Sequence, residues 1–188
     1  MDRRQEILMA AGKLFRENGY HATSIRDIAK EIDMRPSSLY AHVQSKEEIL
    51  WEIVNQAADA FNGKAESISA ELDARERLEL LIHGHFEVIT QELPNATVFF
   101  HEWKFLPEDL KNKMIARRDN YEGHFRRVIK QGMDKGVFEV EDFRVATLFI
   151  LSALNWSYHW IKPEGALSLE ALSERYTRLI MNTLQARA

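Results

Sequence analysis

The chain has 188 residues, 45% of them hydrophobic, which excludes a disordered chain and leaves room for one or two packed domains. It has no cysteine, which excludes disulfides, thiol nucleophiles and cysteine zinc sites and suits a reducing compartment. The formal net charge of −4 stands against DNA binding unless the charge is unevenly distributed along the chain. With only 8 glycines and 4 prolines, few breakers interrupt the periodic segments, so an all-α fold is expected.

The N-terminal segment MDRRQEILMAAG is charged throughout and lacks the apolar run of a signal peptide. The most apolar stretch, Ala146–Trp160, is too short and too polar to span a bilayer. A cytoplasmic protein with no membrane partner is expected.

Residues 3–18 place Ile7, Leu8, Ala11, Leu14 and Phe15 at helical spacing, and Asn18-Gly19 ends the helix. Ser24-Ile25-Arg26-Asp27 has the form of a capping box, followed by the stripe Ile25, Ile28, Ala29 and Ile32. Asp33-Met34-Arg35 is a turn, and Pro36 suits the first position of the next helix. There Leu39 and Val43 face inward, which leaves Ser37, Ser38, Tyr40 and His42 outside. Ser45 and Glu48 form a second capping box, opening a helix to about Phe61.

A polar stretch over 62–74 loosens the pattern. Leu78, Leu81, Ile82, Phe86 and Ile89 resume it until Pro94 breaks the helix. A short aromatic segment follows, with Phe99, Phe100, Trp103 and Phe105. Pro107 starts a long helix through Leu110, Met114, Tyr121, Phe125, Val128 and Ile129, ended by Lys135-Gly136. Residues 142–160 read as a helix apolar on nearly every side, which must be covered all round. Pro163 and Gly165 interrupt, and a last helix from about Ser168 carries Leu169, Leu172, Tyr176, Leu179, Ile180 and Leu184.

Two short helices joined by a tight turn, the second polar and aromatic outside, suit a helix-turn-helix that enters a DNA major groove. Charge agrees modestly. Residues 1–46 carry a net +2 and the remainder a net −6, a basic head on an acidic body.

Residues 7–50 closely resemble the DNA-binding head of the tetracycline-repressor (TetR) family of bacterial transcriptional regulators. The matching pieces are IL-AA-LF over 7–15, NGY-TS over 18–24, Ile28-Ala29, SSLY-H over 37–42 and SKEEIL over 45–50. Two departures stand out. The family often has Gly-Val-Ser where this chain has Asp33-Met34-Arg35, and usually Phe where it has Val43. The resemblance implies an N-terminal three-helix helix-turn-helix domain over 1–48. It also implies a larger helical ligand-binding and dimerisation domain over 49–188. The segment Ala153–Pro163 is similar to one in members that sense acyl-CoA thioesters.

In such a head, phosphate contacts fix register and base contacts give specificity. Arg35 is the candidate for base readout, since a guanidinium can donate twice to guanine at about 1–3 kcal/mol of discrimination. Ser37 and Ser38 can bond bases or phosphates, and Pro36 and the Tyr40 ring can pack on a thymine methyl or sugar edge. Thr23, His42 and Lys46 suit phosphates, as does the Tyr40 hydroxyl. Arg26 can reach a phosphate or a base, and Arg3 and Arg4 can steer from the N-terminal end. Each has the alternative of being a solvated surface residue.

One short helix reads few base pairs, so a homodimer on a palindromic operator is implied, paired through helices near 142–160 and 168–186. The alternative is that 142–160 is the buried centre of a monomer. In the body, Phe86, Phe99, Trp103, Tyr121, Phe125 and Trp156 can line a site for a small apolar or acyl-CoA effector, or be ordinary core, and Asn155, Tyr121 and His124 can orient a ligand there or be satisfied locally. Arg117, Arg118, Arg126 and Arg127 can meet CoA phosphates or be plain surface charge.

Enzyme motifs fail. His101-Glu102 begins a zinc-protease pattern, but Phe105 stands where its second histidine belongs. His83 and His85 are two apart on a helix and face different ways, and no phosphate loop or nucleophile elbow is present. No catalytic residue, metal or cofactor is expected. The function implied is a ligand-responsive repressor, with a helical interaction module that does not bind DNA as the second reading.

Overall fold

The computed structural model describes residues 2–91, 93–161, 165 and 167–184, with only the backbone of 93 and 94. The expected break at Pro163 and the expected dimer residues 185–186 lie outside the described residues. All regular elements among the described residues are helical. They are α1 (Arg3–Asn18), α2 (Ile25–Glu31), α3 (Pro36–Leu39), α4 (Lys46–Glu66), α5 (Ala74–Gln91), α6 (Leu93–His101), α7 (Glu108–Asp134), α8 (Phe143–Asn155) and α9 (Leu169–Leu184). They fall into two compact units, residues 1–59 with 92–116 and residues 60–91 with 117–188.

In the first unit, α1 is capped by the Asp2 carboxylate and stops at Gly19, whose φ of 85° is open to glycine without strain. Ile7, Leu8, Ala11 and Phe15 form its buried stripe. The capping box at the start of α2 is present in both directions between Ser24 and Asp27. Asp33 then turns the chain with φ 51°, the one non-glycine residue in the left-handed region among those described. The Met34 N–H donates back to the Ala29 carbonyl at 2.8 Å. This turn explains a departure from the resembled pattern: glycine fits the left-handed conformation best, and aspartate is one of the few side chains that tolerates it. α3 is a single turn opened by Pro36, and the Val43 N–H still reaches the Leu39 carbonyl at 3.2 Å. Leu39 and Val43 are both buried.

The aromatic segment after Pro94, to which the sequence pattern assigns no element, is helical. It is α6, followed by a 3₁₀ turn over Trp103–Phe105. Pro94 is the second residue of α6, where a missing N–H costs no helical bond, so proline begins this helix as well as ending the previous one. α6 packs on α1, and the approach is close at Gly12, where an added Cβ would lie 2.9 Å from Asn95 Oδ1.

The second unit is built on α5, with α9 and α8 packed against it. Leu78, Leu81, Ile82, Phe86 and Ile89 of α5 are buried with Phe125, Val128 and Ile129 of α7. α4 is longer than expected, so Asn62 and Ala65 are buried helical residues and not part of a loop. α8 is shorter than expected: the helix stops at Asn155 and a 3₁₀ turn runs over Trp156–His159. Its apolar surface divides. Thr147, Ile150, Leu151 and Leu154 turn inward, whereas Val145, Leu148 and Phe149 are exposed at 64%, 53% and 58%. Leu179 of α9 is likewise exposed, while Leu172, Ile180, Met181 and Leu184 are buried.

Candidate nucleic-acid interface and effector region

The α2–α3 pair presents a continuous polar surface. Arg26, Arg35, Pro36, Ser37, Ser38, Tyr40 and His42 are all exposed. Beneath them Ile28, Ala29, Leu39 and Val43 are at most 1% exposed and supply the apolar contacts that hold so short a helix in place. Tyr40 is 55% exposed, an aromatic ring left in solvent on a one-turn helix.

Two expected phosphate contacts sit deeper. Thr23 is buried, and its hydroxyl lies 2.9 Å from the Gly19 carbonyl and 3.3 Å from that of Leu14, so its side chain fastens the α1–α2 connection. Lys46 is half-buried at the first turn of α4. Its ammonium donates to the Tyr20 carbonyl at 2.9 Å and the Thr23 carbonyl at 3.0 Å, and stands 4.2 Å above the Tyr20 ring. An ammonium has three protons, so one remains for an outside acceptor. Arg4 is not a free steering charge. It pairs with Glu48 at 2.6 Å, bonds Glu52 through Nε at 3.0 Å, and donates to the His42 carbonyl. These partners hold its guanidinium charged and stitch α1 to α4 and to the end of the α3 segment.

The same unit ties this head to the segment around α6. Glu102 accepts the Tyr20 N–H at 3.2 Å. The Phe105 ring stacks on Tyr20 at 6.0 Å and meets His21 edge-on at 4.2 Å. Tyr20 is thus shared: its carbonyl holds Lys46, its N–H holds Glu102, and its ring is packed by Phe15 and Phe105. Neither Glu102 nor Arg4 was separable from ordinary surface charge by sequence alone.

The expected effector residues divide between the units. Phe99, buried, and Trp103, half-buried, belong to the first. Phe86, Tyr121, Phe125, Asn155 and Trp156 belong to the second. Within it, Tyr121 and Phe125 meet edge-on at 5.5 Å, but Phe86 turns to Tyr176 at 4.8 Å. Asn155 is half-buried at the end of α8. Trp156 is 61% exposed, leans on His159, and stands with the outward stripe of α8, not in the interior.

Two residues outside the expected set complete the cluster. Phe61 lies 5.3 Å from the Tyr121 ring, and the Tyr121 hydroxyl meets His85 Nδ1 at 3.0 Å. Burial pushes the His85 imidazole down to about 3, against a smaller opposing contribution from the Leu154 backbone. Burial pushes the Tyr121 phenol the other way, well above its usual range. Both rings are therefore neutral at ordinary pH. The sequence held a signal for His85: it falls on the buried stripe at 78, 81, 82, 85, 86 and 89.

A cavity of about 590 Å³ opens elsewhere in this unit, between α5 and α9, lined by Arg75, Glu79, His83, Glu170, Glu174 and Arg178 over Leu80 and Met181. It contains none of the seven expected effector residues. Among the described residues no group of His, Asp and Glu is placed to hold a metal ion, and no helix is long and apolar enough to cross a membrane.

Comparison with known proteins agrees with this geometry. Residues 7–53 match the bacterial regulatory proteins of the tetR family, and residues 71–184 match the tetracyclin repressor-like C-terminal domain. The chain is 29% identical to the HTH-type transcriptional repressor KstR2 of Rhodococcus jostii (strain RHA1), over 97% of this chain and 91% of that protein. Among solved structures it is similar to the TetR family transcriptional regulator PfmR of Thermus thermophilus, with 33% identity, full coverage of both chains and a TM-score of 0.88. It is also similar to AibR in complex with isovaleryl coenzyme A and operator DNA, with 26% identity, 97% and 98% coverage and a TM-score of 0.82. With head and body both matched, in the order in which the family carries them, this chain belongs to the TetR family of transcriptional regulators.

Proposed function

We propose that the protein is a ligand-responsive repressor that binds a palindromic operator as a homodimer and releases it when a small apolar or acyl-CoA effector binds the body. In this reading residues 1–48 are the DNA-binding domain, residues 49–188 bind effector and partner, and the protein acts in the cytoplasm without catalytic activity. The observation that carries it is the exposed polar surface Arg26–Arg35–Tyr40–His42 on a buried Ile28–Leu39–Val43 base.

Arg35 reads a base, Ser37 and Ser38 bond bases or phosphates, Pro36 and Tyr40 pack on sugar or methyl groups, and His42, Arg26 and the third proton of Lys46 take phosphates. Thr23 contributes by fixing the carbonyl that orients Lys46. The outward apolar residues of α8, with Leu179 of α9, support pairing with a second copy, because so wide an exposed apolar stripe is costly in water. The effector proposal draws on the names of the relatives and on the aromatic cluster around Tyr121. To move the protein from 1:99 to 99:1 between states, an effector must favour one by about 5.5 kcal/mol.

The test is a gel-shift against DNA upstream of the protein's own gene. Wild type is expected to shift it, with affinity falling steeply as salt rises. Arg35→Ala and the dimer-face variant Phe149→Glu are each expected to weaken the shift. The alternative, a helical interaction module without DNA binding, would show no shift even at low salt.

A further inference from the structure

One face of α7 meets the end of α4 and the start of α5 through polar groups. Asn62 donates to the Arg117 carbonyl at 3.3 Å, and Asn120 donates to Asn62 Oδ1 at 2.8 Å and to Glu66 at 3.4 Å. Three turns further along α7, Arg77 of α5 donates from Nη1 to Gln131 Oε1 at 2.6 Å. Residues 120, 124, 127 and 131 follow one another at helical spacing, so His124 and Arg127 stand between the two ends of this seam.

The middle of the seam has donors and too few acceptors. Arg77 Nε and His124 Nε2 are both out of contact with solvent, and neither has a hydrogen-bond partner. A buried guanidinium N–H is nearly always paired, and with its proton on Nε2 the His124 ring is a second such donor, so the two mark a place where an acceptor belongs. Arg127 adds a third group. Its neighbours on α7 have carboxylates: Arg126 takes Glu122, and Lys130 takes Asp134 at 2.6 Å. Arg127 has no such partner among the described residues. Its guanidinium folds back over the preceding turn, so close that a Cβ on Gly123 would lie 3.1 Å from Nη1. A glycine at that position keeps the space open. Burial, then Arg127, and finally Arg77 disfavour the charged His124 ring, while Glu66 favours it. An external anion here would act with Glu66.

We propose that Arg77, His124 and Arg127 form a binding site for a phosphate-type oxyanion. Arg77 donates from Nε while its Nη1 stays on Gln131, His124 donates with its proton on Nε2, and Arg127 closes the site from the open side. Three donors on two helices suit a tetrahedral group with several acceptor oxygens better than chloride. The site is distinct from the cavity between α5 and α9 and from the α2–α3 surface, and does not rest on the DNA-binding reading. It would bind phosphate even in a protein that releases no operator.

The test uses the full-length protein. Thermal unfolding is followed with increasing sodium phosphate, with sodium chloride at matched ionic strength as the control. Phosphate is expected to raise the melting temperature saturably, and chloride is not. Arg127→Gln removes a group with no internal partner to disturb, and is expected to weaken the phosphate effect about tenfold. Glu66→Gln removes the competing negative charge and is expected to strengthen it. Equal responses to phosphate and chloride, or an Arg127→Gln protein that responds as wild type does, overturn the proposal. Adenosine 3′-phosphate separates two sources of the same group. Tighter binding than inorganic phosphate, lost in Arg127→Gln, assigns the site to the phosphate of a larger ligand; equal binding assigns it to the free ion.

Discussion

The buried histidine of the second unit makes stability depend on pH in a way that can be calculated. His85 is 1% exposed, meets Tyr121 and lies against Phe61, so its charged form has no water to replace. Its folded-state value is about 3, whereas a histidine in the unfolded chain titrates near 6.5. Between those values the unfolded chain binds a proton that the folded protein refuses, so stability falls as pH falls through that window. Each pH unit is worth about 1.4 kcal/mol, so from about pH 7.5 to about pH 5 this residue removes roughly 2 kcal/mol. Carboxylates and the half-buried His124 also titrate, but they are common to wild type and variant. The assay is therefore urea unfolding of wild type and His85→Gln at both pH values and one protein concentration. The gap between them is expected to close, or change sign, by roughly 2 kcal/mol on acidification, with the variant losing less. A change under about 0.5 kcal/mol would refute the claim that His85 is held neutral by burial.

Three further outcomes follow from single positions. Asp33→Gly relieves a left-handed backbone and is expected to stabilise by up to about 1 kcal/mol, part of the gain being offset by the freer unfolded chain; a loss in urea unfolding would count against strain at this turn. Gly132→Ala would put a Cβ 2.1 Å from Cδ2 of the buried Phe138 ring. Overpacking of about 1–3 kcal/mol outweighs the helix propensity gained, so a lower melting temperature is expected, and an unchanged one would show that Phe138 moves freely. If Lys46 takes a phosphate as proposed, Lys46→Met flattens the slope of log affinity against log salt by about 0.9 per subunit in filter-binding titrations. An unchanged slope would confine Lys46 to holding the Tyr20 and Thr23 carbonyls.

The same positions show where local chemistry sufficed. The Ser24–Asp27 capping box, the Gly19 stop, Pro36 at a helix start and the inward Leu39–Val43 pair are rules of one or two turns, and all appear in the structure. Features that depend on what lies opposite are not set by such local rules. The pattern assigns no element after Pro94, because a proline at a break can end one helix or begin the next, and the packing of α6 on α1 goes with the second. Arg4 looked like a steering charge because its partners, Glu48 and Glu52, are more than forty residues away in the chain.

By itself, then, the sequence determined an all-helical chain with a helix-turn-helix head, and named the side chains on that head's outer surface, because amphipathic spacing and caps act over a few residues. Tertiary structure decided the rest. Helix periodicity cannot tell which of two apolar faces is covered within the chain, so only packing could turn Ile150 and Leu154 of α8 inward and leave Phe149 and Trp156 in solvent. Nor can it reveal a pair such as His85 and Tyr121, or bring Arg77 of α5 beside His124 and Arg127 of α7, because these come together only where separate helices cross.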